Sequence, residues 1–380
     1  MRSIKRLLPA LALIAFLAIP AAGQAKTIHV KAGQSIQAAV DSARPGDKIQ
    51  VGPGTYNETS KPCTTEPSNS CAVVVTKDQI TIQGKNATLA ANGDQDTGID
   101  VGKSSDGSTC IGDPNQTVSG STIKGMTVQG FEDYGLHLLC VEDFTVSKVS
   151  TIDNEEYGIF PSHVTGGRVD HSFASGANDT GVYVGQSQDV RMDHNTATGN
   201  VSGYEIENSA NVVADHNLAT GNTGGILVFT LPFLDVNSGH DNVVRQNTVI
   251  NNNKANTCGE PGDDVCQVPV GTGILILAAD GTIVDSNTVK GNDSFGIAVS
   301  NICVGQNIPP AVCAILDIQP DADNTHTIFN TVTGNGLNPD PNLPSVFAVD
   351  LAWDGTGTGN CWSNNVFNTE FPPGVSTISC

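Results

Sequence analysis

Apolar and polar residues alternate in short runs along most of this chain, and the runs recur at a nearly fixed interval. One phrase appears as Tyr157-Gly-Ile-Phe, Thr180-Gly-Val-Tyr-Val, Ser202-Gly-Tyr-Glu-Ile and Gly224-Gly-Ile-Leu-Val. Its glycines Gly158, Gly181, Gly203 and Gly225 are 23, 22 and 22 residues apart. A period in that range predicts a solenoid whose coils bury their apolar faces only by stacking on one another. Alternation along a strand then sorts the residues into two sets. Val182, Val184, Ile206, Ile226, Val228, Ile274, Ile276, Ile297 and Val299 fall in inward columns. One outward column reads His137, Phe160, Tyr183, Glu205, Leu227, Leu275 and Ala298; the next reads Leu139, Ser162, Gly185, Glu207, Phe229, Leu277 and Ser300. Apolar residues on an outer face predict that loops or a ligand cover it.

A second phrase marks a corner: Met192-Asp-His-Asn, Ala214-Asp-His-Asn, Val244-Arg-Gln-Asn, Val284-Asp-Ser-Asn and Ile328-Phe-Asn. Its asparagines, Asn195, Asn217, Asn247, Asn287 and Asn330, are expected to stack with their amides hydrogen-bonded up and down. Their steps of 22, 30, 40 and 43 residues place insertions in the later coils. The excursions Thr230 to His240, Asn253 to Val268, Ile302 to Asp321 and Asn338 to Pro344 are expected to gather on one face as walls of a groove.

Before the regular coils, Thr27-Ile-His-Val reads as a strand. Ser35-Ile-Gln-Ala-Ala-Val-Asp-Ser-Ala reads as a short amphipathic helix with Ser35 as N-cap, placed to cover the first coil. Residues 1–25 carry Arg2, Lys5 and Arg6 ahead of an apolar run from Leu7 to Ile19, the pattern of a secretory leader. The organisation expected is a leader at 1–25 and one β-helix domain at 26–380. Within it, 26–56 form the N-terminal cap and first coil, 134–350 the regular coils with insertions, and 351–380 a C-terminal cap. A soluble, secreted, monomeric chain, extracellular or periplasmic, is expected, because no later stretch has the length of a membrane span.

The formal charge is -21, and losing the leader's three basic residues makes it -24. So acidic a chain repels nucleic acid and anionic membranes, which excludes both as partners. All ten cysteines lie beyond the leader. Taken in order they form close neighbours: Cys63 with Cys71, Cys258 with Cys266, Cys303 with Cys313, and Cys361 with Cys380, leaving Cys110 with Cys140. Disulfides are expected from the oxidising compartment, and the pairing is inferred from proximity.

The run Ser35-Ile-Gln-Ala-Ala-Val-Asp with Pro45-Gly-Asp-Lys-Ile-Gln-Val-Gly-Pro-Gly-Thr-Tyr resembles the N-terminal entry of right-handed parallel β-helix proteins of the pectate-lyase-like superfamily. The runs Gly181-Val-Tyr-Val-Gly-Gln-Ser, Glu205-Ile-Glu-Asn-Ser and Gly224-Gly-Ile-Leu-Val-Phe resemble a bacterial branch of parallel β-helix repeat proteins. The resemblance implies an all-β, single-stranded right-handed parallel β-helix with coils of 22–23 residues and an N-terminal capping helix. It is weak for reaction, since that superfamily holds lyases, hydrolases, epimerases, adhesins and non-catalytic accessory proteins.

Glu205 and Glu207 stand two apart on one strand, so their Cβ atoms lie about 6.5 to 7 Å apart on one side. That suits an acid and a base flanking a water, the wider carboxylate separation of inverting glycoside hydrolysis. Tyr183, one coil earlier, would complete a catalytic set with Asp179 and His163 as assistants. Tyr, His and carboxylate together suit proton abstraction beside a uronate carboxyl, so a secreted polysaccharide-binding or polysaccharide-processing protein of lyase, epimerase or hydrolase type is expected. Phe229, Phe160, His137, Gln186 and Asp235 are the expected substrate contacts, the substrate being a poly- or oligosaccharide. Plain alternatives stand beside these: two exposed glutamates, Glu paired with Arg191, Tyr183 as a stacking platform, and Asp179 as a turn cap. The Asp-His pairs resemble part of the mannuronan epimerase motif, but the full Asp-Pro-His-Asp run is absent. No cofactor and no metal is expected: a calcium site would need clustered aspartates, and Asp321 with Asp323 is the nearest approach. A non-catalytic glycan-binding or surface-interaction β-helix is the competing function. A metal-insertion accessory role, known among similar repeat proteins, has no ligand cluster behind it.

Overall fold

The computed structural model describes residues 25–110, 113–259 and 262–380; the predicted leader lies outside them except for Ala25. The chain is a right-handed parallel β-helix. One face is a 12-stranded sheet, and the other two faces form a continuous 21-stranded sheet. In the 12-stranded sheet Thr180–Gly185, Ser202–Glu207, Gly224–Phe229, Thr272–Leu277 and Phe295–Ser300 stack in parallel. Their register pairs Val182 with Tyr204, Tyr204 with Ile226, and Ile226 with Ile274. Each inward position is therefore filled by an aliphatic or aromatic side chain resting on its equivalents one coil above and below. Val182, Val184, Tyr204, Ile206, Ile226 and Val228 are fully buried, and each such side chain contributes about 1.5 to 3 kcal/mol relative to exposure.

The repeated glycine has a packing cause. A Cβ on Gly203 would lie 2.6 Å from the Gly225 carbonyl oxygen and 3.0 Å from the Asn222 amide. The equivalent glycines meet the same obstruction from the next coil, so the phrase admits no side chain there.

Asparagine ladders hold the corner beyond the second sheet strand. Asn195 Nδ2 donates to Asn217 Oδ1 at 3.1 Å, Asn217 to Asn247 at 3.1 Å, Asn247 to Asn287 at 3.0 Å and Asn287 to Asn330 at 2.9 Å. A parallel ladder runs through Asn200, Asn222, Asn252, Asn292 and Asn335 at the next corner. Buried backbone amides of these turns donate into the same oxygens, so few polar groups there go unpaired.

The helix Ile36–Ser42 covers the first coil. Ser35 Oγ accepts from Ala38 N–H at 2.9 Å, and Gln37 exchanges two hydrogen bonds with the backbone of Val74. At the other end Trp362 is buried, and Cys361 is bonded to Cys380. The other four disulfides join Cys63 to Cys71, Cys110 to Cys140, Cys258 to Cys266 and Cys303 to Cys313.

Candidate functional site

The outer face of the 12-stranded sheet carries a cavity of about 960 Å³. Its floor is the outward columns: Tyr183 pairs with Glu205 and Glu205 with Leu227; Gly185 pairs with Glu207 and Glu207 with Phe229. All four inserted loops contribute walls, through Leu231, Gly262 to Val265, Val304 to Gln306, and Leu343 with Pro344. The opposite wall comes from the turns that lead into three successive strands, Glu132-Asp133, Glu155-Glu156 and Asn178-Asp179. These turns stack: Glu156 N–H donates to the Asp133 carbonyl, and Asp179 N–H to the Glu156 carbonyl, each at 3.1 Å.

Aromatic rings form a shelf beside the carboxylates. Phe160 stacks on Tyr183 with centroids 4.3 Å apart, and Tyr157 lies 5.6 Å from both Tyr134 and Tyr183. The hydroxyls of this shelf serve the acids. Tyr183 Oη donates to Glu207 Oε2 at 2.8 Å, and Tyr157 Oη donates to Asp179 Oδ2 at 2.6 Å. Thr180 Oγ1 donates to the other Asp179 oxygen at 2.8 Å.

Burial raises all three acids above the ordinary carboxylate range. Glu205, 4 % exposed, is pushed well up by burial and then by the charge of Asp179. Asp179 is raised by burial, against the pull of the Tyr157 and Thr180 hydrogen bonds. Glu207 is raised to about 7, burial outweighing the Tyr183 hydrogen bond. The strand geometry puts the Cβ atoms of Glu205 and Glu207 about 6.5 to 7 Å apart. Two neighbouring buried carboxyls, both raised by burial and to different degrees, are groups able to exchange protons with a ligand on the cavity floor.

The structure gathers Glu205, Glu207, Asp179, Phe160 and Phe229 at this cavity; Tyr183 does not line it but lies buried beneath the aromatic shelf and reaches the site through its hydrogen bond to Glu207. His163, Gln186 and Asp235 stand elsewhere, and His137 lies beneath the shelf, its ring stacked on Tyr134 with centroids 4.6 Å apart. His137 faces outward but is sealed under the loop after Cys63, its Nδ1 3.0 Å from Thr65 Oγ1, and burial lowers its pKa to about 3. His163 and Gln186 occupy left-handed corner positions, with φ of 52° and 51°, which turn their side chains away from the strand plane. His163 meets Ser162 Oγ at 2.9 Å and Asp235 at 3.6 Å. Gln186 Oε1 accepts from Val236 N–H. These three residues fasten the inserted loop after Thr230, whose Asp235 does not reach the glutamates. Arg191 pairs with Asp215 at 2.8 Å on another face, which leaves the glutamates without that cation.

A parallel β-helix with a carboxylate-floored groove on one sheet is the class that fold and site define. The chain matches the family described as periplasmic copper-binding protein, NosD, over residues 67–260 and 115–366, and it belongs to that family. No curated protein matches it in sequence. Among solved structures it is similar to the A-module of the mannuronan C-5 epimerase AlgE4 of Azotobacter vinelandii, at 14% identity and a TM-score of 0.54 over 88% of this chain and 91% of that one. It is also similar to the DFA-IIIase of Arthrobacter chlorophenolicus A6, at 12% identity and 0.57 over 90% and 89%. A mutant of the periplasmic alginate epimerase AlgG gives 14% and 0.56 over 90% and 73%. Likeness at that level establishes the fold.

Copper takes thiolate, thioether or imidazole donors, and the donors here do not converge. The cysteines are spent in disulfides, and Met126 and Met192 are buried in the core. The three-donor group found among the described residues, Cys63, Cys71 and Asp100, includes a disulfide pair. His171, His194 and His216 stack face to face with centroids 4.9 Å apart, each Nδ1 on its neighbouring aspartate. Equivalent nitrogens of such parallel rings are separated by more than the roughly 4 Å that two ligands about 2.0 Å from one ion span. The described residues as placed do not fit a copper centre. Among the described residues no helix is long and apolar enough to cross a membrane. Five disulfides and the family's periplasmic description agree with work outside the reducing cytoplasm.

Proposed function

We propose that this chain is an exported glycan-processing protein, with a leader at 1–25 and a β-helix domain at 26–380, which hydrolyses glycosidic bonds in the groove. The observation that carries the reading is the pairing of Glu205, whose carboxyl burial pushes well up, with Glu207, raised to about 7, side by side on the floor of an open cavity. Glu205 acts as general acid to the leaving oxygen, its proton held by burial and by the negative charge of Asp179. Glu207, oriented by Tyr183, is the base that activates water from the far side of the sugar. The aromatic shelf of Tyr134, Tyr157 and Phe160 supplies stacking faces for sugar rings.

Elimination and C-5 epimerisation act on uronates and need a cation to neutralise the sugar carboxylate as its α-proton leaves. No Lys, Arg or His lines the cavity among the described residues, which favours hydrolysis among the reactions that β-helix proteins run. The names of the similar solved structures, two epimerases and a DFA-IIIase, support a carbohydrate ligand. The aromatic shelf and the open cavity also support a second reading, a groove that holds a glycan without cleaving it.

Purified protein incubated with a panel of neutral, cationic and uronate polysaccharides should release reducing ends from at least one of the first two. Release of unsaturated ends, or solvent deuterium entering a recovered polyuronate, would replace hydrolysis by elimination or epimerisation. Binding without any product would favour the second reading.

A further inference from the structure

The cavity is lined by nine carboxylate side chains, and among the described residues by no basic one. Six of them, Glu132, Asp133, Glu155, Glu156, Asp263 and Asp264, make an acidic rim around Glu205, Glu207 and Asp179. Their partners inside the protein are neutral. Asn69 donates to Asp133 at 2.7 Å, Gln267 and Gln306 donate to Asp264 at 3.1 and 3.3 Å, and tyrosines serve Asp179 and Glu207. The carboxylates that form ion pairs, such as Asp193, Asp215 and Asp78, lie on other faces. A protein that pairs its acids elsewhere and leaves these uncompensated keeps a concentrated negative field in a concave, partly apolar site. A positive charge from outside would relieve it.

The far end of the cavity is different. Leu275, Leu277, Phe295, Ala298 and Phe347 line it without a charge among them, and Leu275 packs with Phe295, Ala298 and Phe347 in one cluster. The shelf of Tyr134, Tyr157 and Phe160 stands at the acidic end, on the two strands that follow Glu132-Asp133 and Glu155-Glu156, with Glu205 and Glu207 between it and the apolar end; its faces attract both sugar C–H edges and cations.

Resting on the glycan reading above, we propose that the substrate is an amino-sugar polymer, with protonated amines against the acidic rim and acyl-substituted units at the apolar end. The cavity's size suits a few sugar rings rather than a lone metal ion. The field also rejects polyuronates, whose own carboxylates would meet the rim at close range.

The test is calorimetric titration of the chelator-treated full protein with equal-length oligomers of glucosamine, N-acetylglucosamine, glucose and galacturonic acid. The expected result is glucosamine-containing oligomers binding at least about tenfold more tightly than neutral ones, with the advantage shrinking as salt rises from about 50 to about 500 mM. Glu156→Gln combined with Asp133→Asn should erase that advantage without lowering the melting temperature, and the salt dependence of the native protein checks the same point without a variant. Equal affinity for neutral and amino-sugar oligomers would overturn the charge assignment and leave the glycan site standing. Preference for galacturonate, alone or on adding Ca²⁺, would overturn the assignment as well. Binding of no oligomer at all would overturn the glycan reading beneath it.

Discussion

Tyr183 donates its phenolic proton to Glu207 across 2.8 Å, from one coil of the helix to the next. The bond joins residues 24 positions apart in sequence, and it opposes the upward pull of burial on Glu207. Tyr183→Phe keeps the ring stacked on Phe160 and removes only the donor. The Glu207 pKa should then rise further, moving the acid limb of the pH–rate profile upward by about half a unit or more. A limb that stays in place would make Tyr183 a packing residue.

The acids of the groove also set a pH dependence of stability. Glu207 and Glu156 titrate at about 7 and Asp133 at about 6, all above their ordinary values, so the folded state binds their protons more tightly than the unfolded chain does. Their contribution is full below the unfolded values near 4 and is lost as pH rises through about 6 to 7. The melting temperature should fall from pH 5 to pH 8, measured by scanning calorimetry, and Glu207→Gln should flatten part of that slope.

The corner ladder predicts a purely structural effect. Asn247 sits mid-ladder, donating to Asn287 and to the Ala214 carbonyl and accepting from the backbone and side chain of Asn217. Asn247→Ala leaves the backbone N–H and one amide hydrogen of Asn217 without their acceptor and takes a donor from the Ala214 carbonyl and from Asn287 Oδ1, and should cost about 3 kcal/mol or more in chemical denaturation. The groove is on another face, so ligand affinity in the folded fraction should be unchanged.

Much of the fold was legible because each coil obeys the same rule. Gly203 must be glycine for want of space, Val184 and Ile206 must be apolar because they rest on each other, and Asn217 must bond to Asn247. The floor of the cavity was legible for the same reason: Tyr183 and Glu205 in one outward column, and Glu207 in the next, interrupt runs rich in Leu and Phe. Where side chains leave the strand, alternation stops informing. His163 and Gln186 follow the strand in order, yet their left-handed backbone turns them to an inserted loop. His137 keeps its place in the column but is roofed by the Cys63–Cys71 loop, which periodicity does not reveal. The acidic rim and the tyrosines Tyr134 and Tyr157 were not singled out, although a signal was present. Glu132-Asp133, Glu155-Glu156 and Asn178-Asp179 recur at a step of 23 residues, each just before a strand of the groove. Asp263 and Asp264 lie in an insertion with no repeat to align.

The measurement that bears most directly on the account is reducing-end release by the native protein, Glu205→Gln and Glu207→Gln on one cleaved glycan. Each substitution is nearly isosteric and removes an ionisable group, so each should lower kcat by about 100-fold or more while oligosaccharide binding persists. Cleavage that survives both substitutions would contradict the assignment of the acid and the base.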